Sequence, residues 1–124
     1  MTPDSRLGIT ATMDKPLTEQ KCIPCQGGIP PMTPEEISKR LVLLGEGWEV
    51  VENKKLVKTF LFDNFTQATS FINRIAEVAE REGHHPDLNL HDYRKLTVEW
   101  WTHKISGLHL NDFIMAAKTD KLSS

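Results

Sequence analysis

No apolar run in this 124-residue chain approaches the length of roughly 20 residues that a membrane-spanning helix needs. A surplus of positive charge is missing too: 15 Lys and Arg stand against 17 Asp and Glu, a formal net charge of -2. A duplex-binding surface normally reads as a basic stripe. Here the cations are scattered, and the densest run is only Lys54, Lys55 and Lys58, so nucleic acid is not expected as a direct ligand. The first twenty residues, "MTPDSRLGITATMDKPLTEQ", lack the apolar core of a secretory signal and are too acidic for an Arg-rich transit peptide. A reducing cytoplasm is therefore the expected location, without a structural disulfide. Cysteine is scarce. The two present, Cys22 and Cys25 in "CIPC", supply half of the four ligands a structural zinc needs, and no helix-strand pattern around them suggests a redox enzyme. Inert thiols in a leader are the expectation, ahead of a metal site shared between subunits. No internal repeat is evident.

What is present suits one ordinary globular domain, at 39% apolar and 26% charged residues. Residues 1–32 are rich in Thr, Pro and Gly, end in "GGIPPM", and read as a flexible leader rather than core. Order is expected from 33 to 124. Thr33, Pro34 and Glu36 spell a capping box at a helix start, Ile37, Leu41 and Leu44 fall on one helical face, and Gly45 is placed to close that helix in the left-handed conformation. "GWEVVENKKLVKTFLF" alternates around the polar turn "ENKK" and predicts a hairpin. Asp63 or Asn64 then caps a helix carrying Phe65, Ala68, Phe71, Ile72, Ile75, Val78 and Ala79 at a 3.6-residue period, with Gly83 and Pro86 as its stop. "DLNLHDY" and "KLTVEWWTHKI" alternate as strands. In the second, Leu96, Val98 and Trp100 share one face, and Thr97, Glu99, Trp101 and His103 the other. Gly107 breaks that strand, and a last helix carries Leu110, Phe113, Ile114 and Ala117. The order α-β-β-α-β-β-α predicts an α+β fold, with helices on one face of an antiparallel sheet.

Three histidines carry the chemistry. His84 and His85 sit where the long helix has just ended, beside Pro86, and His103 lies near the end of the last strand. Loops beside a rigid helix end are favoured for function. The three imidazoles have competing uses as solvated surface residues, metal ligands, a helix-end cap at His84, or proton carriers. A three-histidine zinc site is disfavoured by the adjacent pair and by the absence of His-x3-His spacing. Proton transfer is favoured by the neighbours. Glu80, one turn before His84, can hydrogen-bond an imidazole and fix its tautomer, and Trp48 and Trp101 offer flat walls for a planar heterocycle. His91 and His109 have no such company and read as solvated. Asp112 suits the start of the last helix, where an acid stabilises free N–H groups, ahead of a direct part in the chemistry.

"EREGHHPDL", the aromatic Tyr93, "THKISGL" and Asp112 together resemble the pterin-4a-carbinolamine dehydratase family, over about Thr33 to Leu122; "GGIPPMTPEEI" and "GWEV" look like its amino-terminal part. The resemblance implies a four-stranded antiparallel sheet, assembly into homodimers or homotetramers, and loss of water from a 4a-hydroxytetrahydropterin without metal or redox cofactor. The pterin is the substrate, and the step recycles tetrahydropterin after aromatic amino acid hydroxylation. By resemblance, His84 and His103 are the acid-base pair and His85 binds and assists; from the residues themselves, Glu80, Trp48, Trp101 and Asp112 are expected to bind or orient. Which imidazole donates is left open. The alternative the resemblance carries is a non-catalytic binding module, of the transcription-cofactor or Rubisco-assembly kind, but such relatives tend to lose the histidine set that this chain retains. Two features depart from the family: His109 stands where relatives usually carry Thr or Ser, better N-caps, and the leader with "CIPC" is longer than the minimal domain.

Overall fold

The computed structural model describes residues 16–22 and 29–123. Helix α1 (Pro34–Leu41) opens on the complete capping box, with Thr33 Oγ1 accepting from the Glu36 amide and Glu36 accepting from the Thr33 amide. It ends earlier than its apolar spacing predicts. Val42 caps it in the right-handed region, and the Leu43 and Leu44 amides bond to Arg40 and Leu41 carbonyls in a tightening turn. Gly45 is not the left-handed stop; Gly47, at φ 100°, turns the chain into the sheet instead.

Strands β1 (Glu49–Val51) and β2 (Lys55–Leu61) form the expected hairpin, with Glu52 and Asn53 both at positive φ. Two left-handed residues match the right-handed twist of the flanking strands. Helix α2 (Phe65–Glu82) is capped by the Asn64 side chain on the Gln67 amide and closed by Gly83 at φ 68°. Strands β3 (Asp87–His91) and β4 (Lys95–Trp100) follow, and helix α3 (Leu110–Ser123) ends the described chain. The sheet is antiparallel throughout, in the order β1-β2-β4-β3. The α+β architecture, with its element order, is the one the sequence predicts.

All three helices contribute to a core on one sheet face. Leu56 and Phe60 of β2 and Leu96, Val98 and Trp100 of β4 are buried against Phe71 and Ile75 of α2 and Phe113 and Ile114 of α3. Burying each such side chain contributes roughly 1.5–3 kcal/mol. Lys58, between Leu56 and Phe60 on that face, holds its ammonium over the Trp48 and Phe60 rings and 2.7 Å from Asp120. The other face mixes polar and apolar residues: Thr59 and Thr97 share a 2.8 Å hydrogen bond there, and exposed Leu61 lies opposite Lys95.

The expected separation of residues 1–32 from the core does not extend to residues 16–22. Leu17, in a 3-10 turn over Leu17–Glu19, is buried in the core cluster, Lys118 donates to the Thr18 carbonyl at 2.9 Å, and the Cys22 amide donates to Glu82 at 3.0 Å. This strap is why α3 is buried over Asn111–Ala117: it is covered by the sheet, α2 and the strap. Cys25, and with it the "CIPC" pairing, lies outside the described residues. No helix among the described residues is long and apolar enough to cross a membrane.

Candidate active site

The end of α2 fixes His84. Gly83 turns the chain in the left-handed region, and the Gly83 and His84 amides both bond to the Ala79 carbonyl. The His84 ring lies parallel to Trp100 at 5.7 Å between centroids and 14° between planes, so the last core residue of β4 forms its floor. Asp112, fully buried in the first turn of α3, sits 2.6 Å from His84 Nε2 through Oδ1. Its Oδ2 accepts from the Thr102 hydroxyl at 2.8 Å and the His109 amide at 3.0 Å. A carboxylate has only lone pairs to offer, so His84 Nε2 carries the proton and donates. In the neutral ring the free lone pair is then on Nδ1. Asp112 thus accepts the His109 amide at the helix start, the structural part expected from sequence, and it also holds the His84 ring.

His85 lies outside this buried pair. Its Nε2 is 2.5 Å from Glu80, and both side chains are mostly exposed. Water screens such a pair, so it contributes little stability. Glu80 therefore does orient an imidazole, but that of His85 rather than His84.

His103 is not on the strand. β4 stops at Trp100 because its neighbours run out: β2 begins pairing at Leu56 opposite Trp100, and β3 at Asp87 opposite Glu99. Thr102 then bonds to Gly107 through both backbone groups, closing a loop that holds His103 in a 3-10 turn, His103–Ile105. The His103 imidazole stacks on Trp101 at 3.9 Å and 28°. Trp101 in turn donates its indole N–H to Asp87 at 2.9 Å.

These residues line one open cleft of about 340 Å³, bounded by His84, His85, Asp87, Trp101, Thr102 and His103, with Gly83, Pro86 and Lys104 completing the wall. The structure therefore brings the three histidines and Trp101 together. It does not bring Trp48, which is buried in the core, edge-on to Phe60, and donates its indole N–H to Asp120 at 2.9 Å. The Trp101 ring face is already occupied by His103. His109 is not simply solvated: it is half-buried, and its Nδ1 accepts from the Asn111 amide at 3.1 Å, so the ring replaces the expected Thr or Ser cap. His91 is exposed and bonds to Thr97. Among the described residues no three His, Cys, Asp or Glu side chains are grouped so as to hold a metal ion.

Thr102 and Asp87 were not singled out in the sequence. The alternation that buries Val98 and Trp100 also points Thr102 inward, which was the available signal. Asp87 follows directly on "HHP" and carried no pattern of its own.

The fold and the sequence that builds its histidine cleft match those of known proteins. The family model described as pterin 4 alpha carbinolamine dehydratase matches residues 30–122. This chain belongs to that family. A protein of Rickettsia canadensis, provisionally named a pterin-4-alpha-carbinolamine dehydratase, is 51% identical over 104 residues, covering 84% of this chain and 94% of the relative. One of Chlorobaculum tepidum with the same provisional name is 49% identical over 109 residues, covering 86% and 96%. Among solved structures, a transcriptional coactivator/pterin dehydratase from Brucella melitensis superposes with a TM-score of 0.70 at 28% identity, covering 76% of this chain and 99% of that one. A pterin dehydratase-like RuBisCO assembly factor of the alpha-carboxysome shares the fold at 21% identity and a TM-score of 0.54, covering 64% and 92%.

Proposed function

We propose that this protein dehydrates a 4a-hydroxytetrahydropterin to the quinonoid dihydropterin, with His84 and His103 moving the protons, and so recycles tetrahydropterin after aromatic amino acid hydroxylation. Membership in the family and the names of the relatives support the reaction. The observation that carries the mechanism is the bond from Nε2 of His84, a residue lining the cleft, to buried Asp112, which leaves Nδ1 as the nitrogen with a lone pair.

In this reading the pterin ring enters between His84 and His103. Nδ1 of His84 takes the proton from N5, the C4a–N5 double bond forms, and the C4a–O bond breaks. The hydroxyl leaves as water after receiving a proton from the His103 imidazolium. His84 gains one proton and His103 loses one; His84 then releases its proton to water in the cleft, exposed His103 takes one up from solvent, and the pair resets. No electron changes hands, so the step balances on proton transfer alone. Asp112 stabilises the imidazolium that forms on His84, in the manner of the acid behind the histidine of a hydrolase triad. His85, held by Glu80 at the rim, binds the substrate. Positioned acids and bases contribute on the order of 10²–10⁴-fold, enough for a carbinolamine that also dehydrates unaided.

Stopped-flow decay of 4a-hydroxytetrahydropterin tests the reading. Decay well above the buffer rate, reduced about 10²-fold or more in folded His84→Ala and His103→Ala, is the expected result. Decay no faster than buffer would move the reading to a binding or assembly module.

A further inference from the structure

Asp87 is an exposed acid that falls inside "EREGHHPDL" but has no role among the residues the resemblance assigns or in the proposed proton transfers. It is the first residue of β3, fixed just after Pro86, and its cross-strand partner is Glu99 of β4. Two like charges directly opposite on a sheet destabilise it. Glu99 is relieved by Lys55, whose ammonium lies 3.3 Å away and also 5.0 Å from the Trp101 ring. Among the described residues no Lys or Arg is paired with Asp87. Its Oδ2 instead accepts the Trp101 indole N–H at 2.9 Å, and the same oxygen lies 3.8 Å from His103 Nε2. The indole it anchors is the surface on which the His103 ring stacks.

From this we infer that Asp87 is a positioning residue for His103. One oxygen holds the stacking platform and faces the imidazole nitrogen, so it sets both the plane of the ring and the side from which Nε2 meets a partner. His103 needs that help. It lies in a three-residue turn, more than half exposed, with no hydrogen bond from its ring to any described residue, whereas His84 has a buried carboxylate of its own. The inference rests on the dehydratase reading for its catalytic consequence, but not for the geometry.

Two measurements test it. In stopped-flow assays, Asp87→Asn keeps an oxygen for the indole and removes the charge facing His103. We expect kcat to fall about 10-fold with KM within about twofold, and the same substitution to change His103→Ala by less than about twofold, because residues acting through one another are non-additive. Unchanged kcat, or an equal loss in both backgrounds, overturns the inference. Independently of activity, 15N-histidine NMR of the full chain should show the His103 ring nitrogens moving in Asp87→Asn while those of His84 stay in place. Unmoved His103 signals, or both rings moving together, would overturn it. Wild-type decay no faster than buffer counts against the dehydratase reading, and the NMR comparison then decides Asp87 alone.

Discussion

His84 and Asp112, 28 positions apart in sequence, meet at 2.6 Å, joining the stop of one helix to the start of another. The carboxylate is buried and accepts from three donors, so it is a structural hub as well as the partner of the imidazole. Asp112→Asn keeps the volume but turns one acceptor into a donor facing N–H and O–H groups. It is expected to lower kcat by about 10²-fold. It should also cost about 1–3 kcal/mol of stability, read by urea denaturation. Normal kcat in a destabilised variant would mean that Asp112 serves the helix start only.

Trp48 gives the opposite expectation. Its indole belongs to the core and to Asp120, away from the histidines. Trp48→Phe loses one hydrogen bond and some packing, worth about 1–2 kcal/mol, and should lower the melting temperature while leaving kcat within about twofold. A large loss of kcat at unchanged stability would bring Trp48 back to the substrate.

Acid weakens the first helix in a defined window. The Glu36 carboxyl is held below its ordinary value of 4.5, first by the Thr33 amide and then by the Thr33 hydroxyl. A depressed folded-state value means the contribution is present above about pH 4.5 and lost as pH falls through that lower value. The melting-temperature gap between wild type and Glu36→Ala should therefore narrow from about pH 6 to about pH 3. A gap that stays constant contradicts a charged cap.

Cys22 is expected to be sluggish. Burial pushes its thiol up to about 12, with Glu82 and Asp112 adding to the effect and Lys118 opposing it. At pH 8 this leaves about 10³-fold less thiolate than for an ordinary cysteine. In a Cys25→Ser background, iodoacetamide should modify Cys22 correspondingly slowly in the folded protein and at the usual rate in urea. The same raised value means that stability is intact below pH 9.0 and declines as pH rises toward 12. Fast alkylation of the folded chain would contradict the buried strap.

Local signals carried most of the fold. The capping box at Thr33, the 3.6-residue period from Ala68 to Ala79 and the alternation of Leu96, Val98 and Trp100 each depend on neighbours in sequence, and each appears in the structure as read. Where the reading missed, a tertiary contact decided. Thr102 leaves the sheet because no strand remains to pair with it, and it takes Gly107 as partner, which moves His103 from a strand to a turn. Trp48 is as flat and apolar as Trp101, and only the packing against Phe60 and Asp120 separates their fates. Leu17 lay in a stretch too rich in turn formers to look like core, yet it covers α3. The three histidines were visible as a cluster. That Asp112 holds His84 while Glu80 holds His85 required the fold.

The most direct test of the proton-transfer account is chemical rescue of His84→Ala in the stopped-flow carbinolamine assay. The account predicts a slow variant whose rate rises with added imidazole, while buffer alone and His84→Ala with a non-basic analogue of similar size gain no comparable increment. A His84→Ala enzyme as fast as wild type would contradict it, and so would a slow one that imidazole leaves unchanged although pterin still binds.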